Sequence, residues 1–186
     1  MRKVVLNLAI SLDGLIEGPN GELDWLVRDE SVSYADVLQE ILADKDIIFY
    51  GRKSYEKWGN VQPEKDADAS LKEAYKLLHS KKKYVFSKTV KGDDTNAVFI
   101  SSNIKERVEE IKQQPGRDIW LYGGSNLITT FLNLNLIDVF RLAVHPVVLG
   151  QGKPLFKDIK DRHKLKLLDV KGYYSSGIIL ESYALQ

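Results

Sequence analysis

The sequence contains no cysteine among its 186 residues. Disulfide bonds and thiolate metal sites are therefore excluded, and a reducing cytoplasm is the expected location. Basic and acidic residues nearly balance, at 27 and 26, so no overall charge favours nucleic acid or a membrane surface as the partner. The expected partner is a small molecule.

Long apolar runs are also missing. The apolar-rich residues 4–10 are interrupted by Asn7 and are too few for the core and cleavage site of a signal peptide. No stretch reaches the length of a membrane span. We therefore expect a single domain over residues 1–186, large enough to bury its own core.

Several motifs of catalysis and metal binding are absent as well. Neither the Rossmann fingerprint Gly-x-Gly-x-x-Gly nor a Walker lysine motif occurs. Ser125 lacks the following glycine of a nucleophile elbow. The three histidines, at positions 79, 145 and 163, lack the spacing of metal ligands. No metal is expected, and a nicotinamide cofactor would need a fold other than the Rossmann fold.

One stretch that is present has the pattern of a strand, a tight turn and a helix. Residues 119–122 have the length and composition of a buried strand, and Gly123 and Gly124 follow. The next apolar residues recur with the spacing of one helix face. Such a turn places unpaired N–H groups where a phosphate can bind. The same glycines are also explained by close packing of the backbone, and both interpretations stay open.

The rest of the chain also alternates between segments with the pattern of a strand and segments with the pattern of a helix. The alternation predicts an α/β fold with a mostly parallel central sheet and helices on both faces. Residues 165–170 and 177–185 are predicted to form an antiparallel strand pair near the C-terminus. Ligands of such sheets bind beyond the carboxyl ends of the strands.

Those strand ends carry residue types that bind phosphate. Two glycine turns suit a pyrophosphate, and basic and hydroxyl side chains suit a further phosphate: Arg52, Lys53, Ser87 and Lys88. Each basic residue alone is better explained as solvated surface charge. Their coincidence at strand ends favours a dinucleotide with a 2′-phosphate, which is NADPH.

Five phrases in order resemble the dihydrofolate reductase superfamily, and especially the branch that includes the C-terminal reductase domain of riboflavin-biosynthesis proteins. They are residues 8–16, 50–58, 84–88, 121–125 and 136–156. The resemblance spans nearly the whole chain. It implies the dihydrofolate reductase-like fold, NADPH-dependent transfer of a hydride to a small heterocycle, and a homodimer formed through the late strands.

The resemblance also implies cofactor contacts. The backbone around Ala9 and Ile16 would meet the nicotinamide carboxamide, and Arg52, Ser87 and Lys88 would bind the 2′-phosphate. The full implied set is Ala9, Ile16, Gly51, Arg52, Lys53, Ser54, Ser87, Lys88, Tyr122, Gly123, Gly124, Ser125 and Asn126. A cis peptide bond is expected between the paired glycines, as is common in the family.

The residues expected at the substrate site match neither the folate reductases nor the riboflavin-pathway reductases closely. Folate reductases carry an acid on the first helix, at a position that corresponds to about Ala35, with Asp36 adjacent. Riboflavin-pathway reductases carry an acid before the paired glycines, where this chain has Tyr122. Asp36 and Asp13 are the candidate proton donors, since protonation of a C=N nitrogen assists hydride transfer. A solvated helix face for Asp36 and a plain turn residue for Asp13 are the structural alternatives.

Trp25 is the candidate substrate contact, and partial burial in the core is its alternative. Reduction of a riboflavin-pathway pyrimidine, of the 5-amino-6-(5-phosphoribosylamino)uracil type, is the expected activity. Dihydrofolate reduction is the alternative. A second alternative is a protein that binds NADP(H) without turnover.

Overall fold

The structure is a computed structural model that describes residues 1–29, 31–89 and 96–186. Its strands are β1 Val4–Ser11, β2 Leu15–Glu17, β3 Lys45–Gly51, β4 Lys82–Phe86, β5 Ala97–Ile100, β6 Asp118–Gly123, β7 Val139–His145, β8 Lys153–Pro154, β9 Leu165–Tyr173 and β10 Ile178–Leu185. Its helices are α1 Tyr34–Ala43, α2 Arg52–Trp58, α3 Ala69–Ser80, α4 Ile104–Gln113 and α5 Ser125–Asn133. Two compact units are formed, the first by residues 1–4 and 32–124 and the second by residues 5–31 and 125–186.

The first unit contains four parallel strands in the order β5-β4-β3-β6. Helix α1 starts at a capping box, in which Ser33 and Asp36 satisfy each other's backbone N–H groups. Its buried positions recur at helical spacing and join α3 and one face of the strands in a single core. That core contains Ala35, Leu38, Leu42, Ile48, Tyr50, Tyr55, Ala74, Leu78, Val85 and Trp120.

The second unit contains the other long strands. β1 and β7 are parallel, whereas β10 is antiparallel to both β7 and β9, giving the order β1-β7-β10-β9. Helix α5 buries one apolar stripe, as its spacing predicts. The stripe consists of Leu127, Ile128, Phe131 and Leu132.

Most predicted elements are confirmed, namely the mixed α/β fold, the mostly parallel sheet and the antiparallel pair β9 and β10. A single domain over residues 1–186 stays a prediction. Leu136 and Ile137 are buried but precede β7, which begins at Val139. No helix in the described ranges is both long and apolar enough to cross a bilayer.

One small sheet was not predicted. The short strands β2 and β8 pair with each other in the second unit. Lys153 forms an ion pair with Glu17, and a β-carbon on Gly152 would collide with the Glu17 carbonyl oxygen at 2.2 Å. Only glycine therefore lets these two segments approach so closely.

Candidate functional site

The first unit brings the predicted phosphate-binding segments to one edge of its parallel strands. In the register of the sheet, Gly51 lies beside Phe86 and Tyr50 lies beside Gly123. Strands β3, β4 and β6 therefore end at the same level. The residues that follow them, which include Arg52, Ser87 and Gly124, emerge at this shared edge.

The glycine turns at this edge are tightly packed. Gly123 has a φ of 100°, in the left-handed region that favours glycine. The peptide bond between Gly123 and Gly124 is cis, which confirms the prediction. A β-carbon on Gly124 would lie 3.1 Å from Ser54 Oγ. Gly51 caps α2 with extended backbone and without a side-chain hydrogen bond.

The basic and hydroxyl residues at the edge differ in their surroundings. Arg52 is half-buried and pairs with Glu56, with 2.7 Å between Nη1 and Oε1. Ser87 is 8% exposed, and its hydroxyl accepts a hydrogen bond from the Thr89 N–H at 3.4 Å. Lys53 and Lys88 are exposed. These side chains provide two exposed cations and one paired cation to an incoming anion.

Aromatic residues directly precede both glycine turns in the chain and form a cluster. The Tyr50 and Tyr122 rings are 4.8 Å apart between centroids and tilted by 36°, and Trp120 lies 5.1 Å from Tyr122. Tyr50 is completely buried, and its hydroxyl has no hydrogen-bond partner among the described residues. Burial raises its pKa above the ordinary value, with smaller contributions from Tyr122, Tyr34 and Tyr55. Sequence reasoning missed Tyr50, although an aromatic residue directly before Gly51 was the available signal.

Asp36 lies at the start of α1 and is exposed. Its carboxylate accepts hydrogen bonds from the Ser33 hydroxyl at 2.7 Å and from the Ser33 N–H at 3.3 Å. The neighbouring Ala35 is buried in the core. These contacts give Asp36 a helix-capping role, and its catalytic role stays a prediction.

Asp13 holds a loop in the second unit. Its carboxylate accepts hydrogen bonds from Ser11 Oγ at 2.7 Å, from the Gly150 N–H at 2.8 Å and from the Leu149 N–H at 3.1 Å. The bond from Ser11, followed by those from Gly150 and Leu149, lowers the pKa of Asp13 to about 2. The group is therefore ionised at neutral pH, which suits an acceptor better than a proton donor.

Trp25 is 8% exposed, and its indole Nε1–H donates to the Glu22 carbonyl oxygen at 3.2 Å. Its ring meets His145 edge-on, with centroids 5.6 Å apart. His145 Nδ1 accepts a hydrogen bond from the Val27 N–H at 3.1 Å, and burial lowers the pKa of the imidazole. Trp25 also borders an open pocket of about 530 Å³ in the second unit. The other lining residues are Gly18, Pro19, Glu22, Asp24, Leu149, Gly150 and Gln151.

The remaining predicted contacts are also in the second unit. Ala9 lies in β1 beside Ala143 of β7, and Ile16 lies in β2. Ser125 begins α5 and is buried, and its hydroxyl donates to the Pro154 carbonyl oxygen at 3.0 Å. Asn126 is exposed in the first turn of that helix. The cofactor roles of all four residues stay predictions.

Comparison with known proteins identifies the family. The sequence profile of the RibD C-terminal domain matches residues 2–179. The chain belongs to the RibD C-terminal domain family. The protein named Uncharacterized protein YyaP of Bacillus subtilis (strain 168) is similar to it, with 52% identity over 178 residues, 96% of this chain and 92% of that protein.

Solved structures show the same fold. A Shewanella sp. PV-4 structure described as a riboflavin biosynthesis protein has a TM-score of 0.77 and 22% identity, covering 100% of this chain and 99% of that one. A Thermotoga maritima deaminase and 5-amino-6-(5-phosphoribosylamino)uracil reductase has a TM-score of 0.67 and 15% identity, covering 100% of this chain and 57% of that one. The fold of this RibD C-terminal domain protein is thus dihydrofolate reductase-like, and its membership of this reductase family supports an oxidoreductase.

Proposed function

We propose that this protein is an NADPH-dependent reductase of a small heterocycle, of the riboflavin-pathway pyrimidine reductase type. The observation that carries the proposal is the shared edge of β3, β4 and β6, where two glycine turns, Ser87 and three basic residues emerge together. Family membership agrees with it. NADPH would supply the hydride.

The chain's own residues fit such a cofactor at the pyrophosphate. Gly124 is so close to Ser54 that a side chain there would fill the space at the turn, and a backbone without side chains allows a pyrophosphate to approach N–H groups. We assign Gly51, Lys53, Ser54, Gly123, Gly124, Ser125 and Asn126 to the pyrophosphate. Arg52, Ser87 and Lys88 are assigned to the 2′-phosphate, and the backbone around Ala9 and Ile16 to the nicotinamide carboxamide. Tyr122 is assigned to the cofactor without a more specific contact.

Dihydrofolate reduction receives less support. The position that corresponds to the folate family's helix acid is held by Ala35, which is 3% exposed and part of the apolar core. Alanine cannot supply a proton. The family match over residues 2–179 supports the pyrimidine substrate over the pterin, with Trp25 as a candidate substrate contact.

Binding of NADP(H) without turnover is the second candidate function. The observation in its favour is that both candidate acids have structural partners. Asp36 caps helix α1, and Asp13 accepts hydrogen bonds from the backbone of the loop at Leu149 and Gly150. Oxidation of NADPH by a pyrimidine substrate would decide for the reductase. Cofactor binding without oxidation by any pyrimidine or pterin would decide for the second candidate.

We also propose that the protein is cytoplasmic and forms a homodimer through β9. This strand ends the order β1-β7-β10-β9 and exposes apolar side chains, among them Leu167 at 52% and Val170 at 53%. An exposed apolar edge strand is a surface that a second copy can cover.

The first experiment is a titration with NADPH and NADH, followed by nicotinamide fluorescence, of the wild type and of Arg52→Ala and Lys88→Ala. Arg107→Ala is a matched control, because Arg107 forms a similar ion pair with Glu110 within α4. We expect tighter binding of NADPH than of NADH, and loss of this preference in the first two variants only. Equal affinity of the wild type for both nucleotides would refute the assignment of the 2′-phosphate contacts.

A further inference from the structure

The side chain of Tyr50 poses a specific energetic problem. It has no exposed surface, and its hydroxyl lacks a hydrogen-bond partner within residues 1–29, 31–89 and 96–186. Burying an unpaired hydroxyl costs on the order of 1–3 kcal/mol. Phenylalanine would fill the same space without that cost, so the hydroxyl calls for an explanation beyond packing.

Its neighbour Tyr55 provides the contrast. The two rings belong to one core cluster, with centroids 5.7 Å apart. The Tyr55 hydroxyl accepts a hydrogen bond from Asn60 Nδ2 at 3.3 Å. Within this pair, therefore, only the Tyr50 hydroxyl is left without a partner inside the described part of the fold.

Tyr50 also has a particular position in the first unit. It directly precedes Gly51 and lies beside Gly123 in the register of β3 and β6. Its ring is tilted against that of Tyr122, which is half-buried and thus the more accessible ring of the pair. The backbone of Tyr50 therefore lies at the strand ends assigned above to the cofactor, and its side chain enters the core cluster beside them.

The protonation state of Tyr50 defines what it can offer. Burial is the main cause of its raised pKa, and three neighbouring tyrosines add to the effect. The phenol therefore keeps its proton at any physiological pH and presents a donor. When it donates, its complement is an acceptor such as a carbonyl oxygen or an unprotonated ring nitrogen.

We propose that Tyr50 is a specificity-determining residue of the substrate site, whose hydroxyl donates a hydrogen bond to a carbonyl oxygen or ring nitrogen of a planar heterocycle stacked on Tyr122. This inference rests on the proposed function, which it extends to the substrate class. Because Tyr50 has no exposed surface, the Tyr122 ring shifts when the heterocycle binds. Trp120, 5.1 Å from Tyr122, reports that shift through its fluorescence.

The test compares Tyr50→Phe with Tyr55→Phe, which removes one oxygen atom from the neighbouring ring of the same cluster. The probe is 5-amino-6-(5-phosphoribosylamino)uracil, with and without NADPH, and the readouts are tryptophan fluorescence, NADPH oxidation and thermal unfolding. We expect Tyr50→Phe to weaken uracil binding about tenfold, the equivalent of one hydrogen bond. NADPH affinity should be retained, and the midpoint of thermal unfolding should rise, because the variant removes a buried hydroxyl that has no partner among the described residues.

Tyr55→Phe should leave uracil binding unchanged and lower stability slightly, because it removes the bond from Asn60. Unchanged uracil affinity in Tyr50→Phe would overturn the inference, and so would an equal loss in Tyr55→Phe. A wild type that binds NADPH but not the uracil compound overturns this inference and leaves the cofactor assignment standing. A wild type that binds no NADPH refutes the proposed function instead.

Discussion

Gly124 and Ser54 approach each other so closely that a β-carbon on the glycine would stand 3.1 Å from the serine Oγ. This distance is shorter than an ordinary van der Waals contact, so one of the two residues must shift to admit a side chain. The contact joins the end of β6 to α2 in the first unit. It therefore links the two glycine turns assigned to the pyrophosphate.

Gly124→Ala should weaken NADPH binding at least tenfold, because the methyl group displaces Ser54 from the turn; a tenfold change is about 1.4 kcal/mol. The double variant Gly124→Ala with Ser54→Ala removes the hydroxyl that the new methyl group meets. We expect it to recover part of the thermal stability lost in the single variant. Calorimetric titration and thermal unfolding measure both effects, and an unchanged affinity in Gly124→Ala would remove this turn from the cofactor site.

Asp13→Ala should loosen the loop that contains Leu149 and Gly150. Both amide groups donate to the Asp13 carboxylate, and removing the acceptor leaves them to exchange with solvent. Hydrogen exchange at these two amides should accelerate, while Asp24→Ala, at an exposed acid in the same unit, serves as the control. Unchanged protection in Asp13→Ala would contradict the structural role.

Asp36→Ala should destabilise the protein by about 1 kcal/mol through loss of the helix cap. Ser33→Ala removes the other half of the same capping box and should have a similar effect. If capping is the whole role of Asp36, both variants keep the wild-type kcat at temperatures well below unfolding. A large fall in kcat with Asp36→Ala alone would instead reveal a catalytic acid.

Acidification should destabilise the fold through His145. Its folded pKa is lowered from 6.5 by burial, so below pH 6.5 the unfolded chain takes up a proton that the folded chain resists. The stability gained from the neutral imidazole is therefore fully present above pH 6.5 and is lost as the pH falls through the folded pKa.

His145→Asn keeps an acceptor for the Val27 N–H but does not titrate. Its free energy of unfolding should consequently fall less between pH 7.5 and pH 5 than that of the wild type, measured by urea denaturation at each pH. Equal losses in the two proteins would assign the acid sensitivity to other groups.

Leu167→Glu should dissociate the proposed dimer. Leu167 lies beside Tyr183 in β10, whereas Lys166 lies beside Ala184 and therefore on the opposite face. A buried carboxylate opposes association, so sedimentation should shift from dimer to monomer. Lys166→Gln changes the charge by the same one unit on the opposite face and is the control, and a wild type that sediments as a monomer would exclude this assembly.

The sequence by itself determined the alternation of strands and helices, the glycine turns and the family. These follow from short-range features, because apolar periodicity and glycine positions are properties of neighbouring residues. The cis bond at Gly123 was also anticipated, through the resemblance. In helix α1, the sequence left two roles open for Asp36, a catalytic acid and a solvated position on the helix. Only the folded structure shows that Asp36 caps the helix whereas the neighbouring Ala35 is buried.

The tertiary structure decided the state of the chemically important side chains. Asp13 meets Gly150 across a separation of 137 residues, and no local pattern predicts a contact between residues so far apart. Tyr50 resembled any buried strand aromatic in the sequence, and only the fold shows that its hydroxyl is enclosed without a partner among the described residues. Local pattern thus indicated the type and order of most elements, whereas burial and long-range hydrogen bonds, which exist only in the folded chain, decided which polar side chains have partners among the described residues.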